Sequence, residues 1–166
     1  MEINLAPLLI EQAKLDERIN KEHQVTHLKT KTERFLALLV EVGELANATR
    51  VFKYWSYKPS EERVILLDEY ADGLHFFLSL ALVFNYEITS VSYTPLKQEK
   101  KVIIDAFQDV YQKVAFFMED EQKDSYFNAL AAFLSLGSAL GFTSEDISDA
   151  YHAKLVVNYT RQNTKY

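Results

Sequence analysis

An all-α bundle of about five to six helices is the fold this sequence predicts, and three observations predict it. Apolar residues recur at helical spacing along most of the 166 positions. Only 4 Gly and 3 Pro are present, too few for a chain of hairpins. The breaks between periodic stretches fall at capping and turn residues. Hydrophobic content of 48% and charged content of 25% are ordinary globular values, so a single all-α domain over residues 1–166 is expected.

Residues 3–21 form the first predicted helix, with Leu5, Leu8, Leu9, Gln12, Leu15 and Ile19 on neighbouring turns. A longer helix is expected over 29–54, interrupted by "SYKPS" because Pro59 disfavours helix at the residue before it. Ser60 then suits an N-cap and Glu61 and Glu62 a first turn, for a third helix running to about Asn85. "YEITSVSYTP" is β-branched and aromatic and is expected to connect. Helices over 97–118 and 123–140 follow, the latter ending near Gly141. "TSED" at 143–146 has capping-box spacing and opens a last helix to about Arg161.

A net charge of −6 argues against a nucleic-acid polymer or an acidic membrane as partner. With no Cys there is no disulfide, thiolate metal site or cysteine nucleophile. "MEINLAPLLIEQ" lacks the basic region of a secretory signal, and "LHFFLSLALVFNY" is too short to span a bilayer, so a soluble cytoplasmic protein is expected. The 11 Phe and 10 Tyr gather in "LHFFLSLALVF", "VAFFM" and "YFNALAAFLSL". Helices apolar nearly all round need cover on both sides, which predicts a homodimer.

Four carboxylates break the apolar pattern. In "LVEVGELANATRVFKYW" Glu41 and Glu44 are three apart and share a helix face, and "LLDEYADGLHFF" repeats that spacing with Glu69 and Asp72. Ala37 and Ala48, on the stripe of Glu41, leave room for a neighbouring helix or hydrated ions. If these two helices pair antiparallel about a midpoint between Ser56 and Tyr57, Glu41 meets Asp72 and Glu44 meets Glu69 at adjacent levels. A single i, i+3 acid pair is most often a solvated face. Two pairs in matched register within apolar sequence repel strongly unless a cation holds them. A hard all-oxygen set suits Mg²⁺, which carboxylates commonly bind together with substrate phosphates.

Tyr151, Lys154, Asn158 and Arg161, spaced 3, 4 and 3, form one stripe on the last helix. Point charge from Lys, a fork from Arg and a neutral amide suit phosphate; the plainer reading is an exposed basic edge.

"ExxE" followed by "ExxD" on the next helix resembles the all-α nucleoside triphosphate pyrophosphatase superfamily, which includes MazG-like proteins. "EVGELANATRVFKYWS", "EYADGLHF" and "YHAKLVVNYTRQ" resemble its dimeric dUTPase branch, over a span from Gln12 to Gln162. The resemblance implies a Mg²⁺-dependent homodimeric hydrolase converting dUTP to dUMP and pyrophosphate. Glu41, Glu44, Glu69 and Asp72 would be its catalytic metal ligands, for two or more ions, and Lys154, Asn158 and Arg161 would contact the nucleotide phosphates. It also suggests attack at the β-phosphorus, which admits dUDP. Thr164 departs from a Gly frequent in the family.

For the base, the family's uracil-facing pair is commonly Gln and Asn, matched here by Gln12 and Asp16. Ionised Asp16 only accepts hydrogen bonds, which suits uracil N3–H or the cytosine amine, so dUTP and dCTP both stay open. Both residues are alternatively surface polars of an amphipathic helix. Trp55 either walls a base pocket or caps the hairpin's apolar end. His75, three past Asp72, either hydrogen-bonds that carboxylate from behind or simply packs. His23, His27 and His152 show no metal-like spacing. Three functions therefore stand: a dUTP/dUDP pyrophosphatase, a house-cleaning pyrophosphatase for another base such as dCTP, and a non-enzymatic helical interaction module.

Overall fold

The computed structural model describes residues 1–165. The chain does not open on a helix. Residues Glu2–Asn4 form a short strand, β1, antiparallel to Ser90–Ser92, β2, with Ile3 opposite Val91 and both side chains buried. The alternation exposed–buried–exposed in each strand is the period-2 pattern that two β-branched residues favour, and it overrides the helix expected from residue 3. Helix α1 then spans Ala6–His23, with Pro7 in its first turn, where a missing N–H costs nothing.

Helix α2, Lys31–Thr49, ends five residues before the expected boundary. Arg50 takes a left-handed conformation (φ 55°) and donates its N–H to the Asn47 carbonyl, and Glu61 N–H returns to Ala48 O, so the connection folds back on the helix end. Helix α3 spans Arg63–Phe84. Its N-cap is Glu62, not Ser60, whose hydroxyl instead donates to Glu61 O. Helices α4, Lys100–Asp120, α5, Lys123–Ala139, and α6, Ser144–Asn163, complete the bundle. The capping box at α6 is present in both halves: Asp146 N–H donates to Thr143 Oγ1, and Thr143 N–H donates to the Asp146 carboxylate.

α3 is the central element, packed against α1, α2, α5 and α6. Its Tyr70, Leu74, Phe77 and Leu78 are buried with Leu38, Val42 and Leu45 of α2 and Leu130 and Phe133 of α5. Each such side chain contributes roughly 1.5–3 kcal/mol on transfer from water. Tyr70 stacks on Phe133 with ring centroids 4.3 Å apart and donates to the Phe133 carbonyl at 3.1 Å. Glycine at 137 permits that approach, since a Cβ there would lie 2.7 Å from the Tyr70 hydroxyl oxygen.

The apolar clusters expected to need a partner's cover are largely covered within the chain. Phe77, Phe117, Tyr126 and Phe133 are fully buried. Of these clusters Phe116 and Met118 stay exposed, and further large apolar side chains left in water include Leu36 and Val40 on α2, and Phe52, Tyr54, Trp55 and Tyr57 in the connection after it. Among the described residues no single helix is long and apolar enough to cross a membrane.

Candidate active site

The antiparallel pairing of α2 and α3 brings three of the four acids together. Glu41 of α2 and Glu69 and Asp72 of α3 each present a carboxylate oxygen, all within 4.8 Å of one another. Further along the same register, Arg34 of α2 donates to the Ser79 hydroxyl of α3. Glu44 is more exposed and stands outside that triplet of oxygens, but lines the same cavity as Glu41 and Asp72. Its charge also acts on both Glu41 and Glu69.

Electrostatics at this cluster is unfavourable without a cation. Burial, then the charges of Asp72, Glu44 and Glu69, pushes the Glu41 carboxyl up to about 7. Burial likewise raises Glu69 and Asp72. Glu41 Oε2 is buried with no hydrogen-bond partner among the described residues. The nearest compensation is Lys154 of α6, whose buried ammonium lies 2.7 Å from Asp68 and 2.6 Å from Asp72. Burial alone would lower its pKa; the bonds to Asp68 and Asp72 outweigh that and raise it. Of the α6 stripe, Asn158 and Arg161 reach the cavity, with Arg161 Nη1 3.4 Å from Asn158 Oδ1. Tyr151 is buried behind them.

The cavity measures about 660 Å³ and extends from the acids to a hydrogen-bonded floor. Gln12 and Asp16 form part of that floor, at 3% and 2% exposure, so neither is a surface polar of α1. Gln12 Nε2 donates to Asp16 Oδ1 at 2.8 Å, while Gln12 Oε1 accepts from the Tyr151 hydroxyl at 2.9 Å and lies 2.6 Å from His75 Nδ1. An acceptor at that nitrogen places the imidazole proton on Nδ1. His75 Nε2 is then a bare lone pair, buried and without a partner among the described residues. Burial brings this imidazole down to about 4, so it is neutral at physiological pH.

His75 therefore does not hydrogen-bond Asp72. Its ring turns toward α6 and α1, stacked on Tyr151 with centroids 4.1 Å apart. Tyr151 also leaves the acids alone, donating to Leu8 O and Gln12.

Asp16, expected to accept from the base, has its oxygens occupied by the protein. Oδ2 accepts from Arg34 Nη1 at 2.8 Å and the Ser79 hydroxyl at 2.5 Å, and lies 3.1 Å from His27 Nε2. Burial would raise its pKa, but the bond to His27, the Arg34 charge and the bonds to Ser79 and Gln12 together hold it below the usual carboxylate range. Trp55 is not at the cavity. It stands 62% exposed in the α2–α3 connection, edge-on to Phe52 and Tyr54.

Three residues in the site escaped sequence reasoning: Arg34, Ser79 and Asp68. A signal for them existed. Arg34, Ala37, Glu41 and Glu44 are spaced 3, 4 and 3, and Asp68, Asp72, His75 and Ser79 are spaced 4, 3 and 4, so each set is one helix stripe.

The result is a cavity with acids and cations at one end and, at the other, a hydrogen-bonded network in which Asp16 and Arg34 are paired with each other. That arrangement suits a ligand carrying phosphates on one side and a polar ring on the other. The sequence profile of the dUTPase family matches residues 4–166, and the chain belongs to that family. No match was found among curated proteins.

Proposed function

We propose that this dUTP diphosphatase works on Mg²⁺ held by Glu41, Glu44, Glu69 and Asp72. The observation that carries the reading is the partnerless buried oxygen of Glu41, set among carboxylate oxygens within 4.8 Å. Such a cluster is costly unless a cation completes it, and its donors are all hard oxygens, which fit Mg²⁺ rather than a soft or imidazole-seeking metal. Four acids in two levels suit two or more ions. When bound, Mg²⁺ supplies charge neutralisation of the phosphate oxygens and lowers the pKa of water at the site.

The chain's own groups do the rest. Lys154 offers point charge to the phosphates, Arg161 a planar fork and Asn158 a neutral amide donor. Glu41, set among the ligating carboxylates, orients the attacking water and takes its proton. The oxygen of that water forms the new bond to phosphorus, and the bridging oxygen leaves with the other product, giving dUMP and pyrophosphate from dUTP. Attack at the β-phosphorus, which the family resemblance favours, extends the substrate range to dUDP.

Base reading falls to His75 rather than Asp16. A bare imidazole nitrogen accepts from uracil N3–H, whereas cytosine presents an acceptor at N3 and the two lone pairs oppose each other. Gln12 sets the tautomer of His75, and Asp16 sets the orientation of Gln12. In a screen of deoxynucleoside triphosphates, dUTP hydrolysis should exceed dCTP hydrolysis by at least about 100-fold in kcat/KM, the scale on which unpaired buried polar groups discriminate. Equal rates would remove the uracil reading and leave the pyrophosphatase chemistry standing.

The exposed apolar side chains of α2 and the following connection, Leu36, Val40, Phe52 and Trp55 among them, form the contact face of a homodimer. Light scattering at micromolar concentration should give twice the chain mass of 19.2 kDa. A monomer under those conditions contradicts this assignment.

A further inference from the structure

A second cavity, of about 480 Å³, opens where the α2–α3 connection meets the start of α4 and the end of α5, and it shares no lining residue with the acidic one. Arg50, Lys53, Lys58 and Lys100 line it, and no Asp or Glu does. The whole chain holds 24 acidic against 18 basic residues, so this hollow inverts the sign of the molecule. Among the described residues none of the four cations is in an ion pair.

Their surroundings favour an anion over open water. The Arg50 guanidinium is fixed, donating to Ser56 Oγ at 2.6 Å and to the Lys58 carbonyl at 3.3 Å, so part of the ordering cost is met before any ligand arrives. Lys58 lies on the connection that those two bonds tie down. α4 begins at this cavity, with Lys100 as its first residue, no side-chain cap and no acid in its first turn. Its N-cap residue, Glu99, makes no side-chain capping bond and pairs instead with Lys97 at 3.7 Å, so the first N–H groups carry no side-chain cap. Like charges gathered at a hollow beside an uncapped helix start repel one another, and a multiply charged oxyanion relieves that repulsion while accepting from the donors.

We propose that this cavity binds a diphosphate group without metal, either free pyrophosphate or the terminal phosphates of a nucleotide. A diphosphate matches the site better than a single small anion. Its charge and its several acceptor oxygens reach an Arg fork and separate Lys ammonium groups at once. The proposal does not rest on the Mg²⁺ centre described above.

The test is calorimetric titration of the full chain in EDTA with sodium pyrophosphate, and separately with dUDP. Three proteins are compared: the parent, the double variant Lys58→Glu/Lys100→Glu, and Glu41→Gln. Both lysines are exposed, so the double variant should keep the parent's helical circular dichroism. The site predicts pyrophosphate binding by the parent that weakens steeply with added chloride, at least about 10-fold weaker binding by the double variant, and parental binding by Glu41→Gln. Tighter binding of pyrophosphate identifies the free anion as ligand, and equal or tighter binding of dUDP that weakens at least about 10-fold in the double variant identifies the nucleotide's terminal phosphates. No binding to the parent, equal binding by the double variant, or loss of binding in Glu41→Gln overturns the proposal.

Discussion

Glu41→Gln should lower Mg²⁺-dependent dUTP hydrolysis by at least about 100-fold, the scale on which one preorganised electrostatic group counts, and leave the helical fold intact. Gln keeps the shape of the side chain but loses both the anionic ligand and the proton acceptor. The variant also has a distinct stability profile. In the folded chain without metal the Glu41 carboxyl sits at about 7, above its ordinary value of 4.5, so the folded state binds more protons than the unfolded one between those values. Metal-free stability of the parent therefore falls as pH rises from 4.5 through about 7. The amide that replaces the carboxyl does not titrate, so that part of the decline should vanish, and above about pH 7 the metal-free variant should be at least as stable as the parent. Asp72 differs, because its carboxylate also holds Lys154 at 2.6 Å, and its removal should weaken the apo fold. Denaturant titrations on the acid and alkaline sides of that window, with and without EDTA, beside initial rates, check both halves. Near-parental turnover in Glu41→Gln would falsify the shared metal site.

Asp16→Asn should destabilise the protein by about 3–5 kcal/mol, a large part of a typical domain's stability. The carboxylate is nearly inaccessible and receives Arg34, Ser79, Gln12 and His27 together. An amide in its place turns one acceptor into a donor facing donors, and it leaves the Arg34 guanidinium buried without its counter-charge. From sequence alone, Asp16→Asn is expected to retain dUTP activity through its amide oxygen; the hydrogen-bond network reverses that expectation. Because the folded-state pKa of Asp16 lies below its ordinary value of 3.8, its contribution is complete above that value and is lost as pH falls through the lower folded one. Urea unfolding should show a lower midpoint with an unchanged slope. A midpoint equal to the parent's would mean that the Arg34–Asp16 pair adds nothing to the fold.

Helix patterning carried most of the architecture, and the hairpin register followed from two acid pairs at equal spacing. Both come from local periodicity, which survives in a single sequence. What did not come through was decided by tertiary contact. β1 and β2 are three residues each and exist because Ile3 and Val91 meet across the chain. Arg50 ends α2 early because the connection folds back on Ala48, a contact that no property of Arg50 announces. At the site, the acids were legible because anions in apolar sequence stand out. The burial of Asp16 was not legible, because a buried carboxylate and a solvent-facing one look alike until the donors from α2 and α3 are seen around it. Sequence left two readings of His75 open for a related reason: i+3 spacing places a residue on a face, but the Tyr151 ring and Gln12 decide where its nitrogens point.

The most direct test of the central claim is a crystal structure of the protein with Mg²⁺ and a nonhydrolysable dUTP analogue. The account predicts Mg²⁺ coordinated by oxygens of Glu41, Glu44, Glu69 and Asp72 at about 2.0–2.1 Å, with phosphate oxygens completing the shell. It also predicts Lys154 and Arg161 on the phosphates and His75 Nε2 against N3–H of the base. Mg²⁺ held only by the phosphates, or bound away from these four carboxylates, would contradict it.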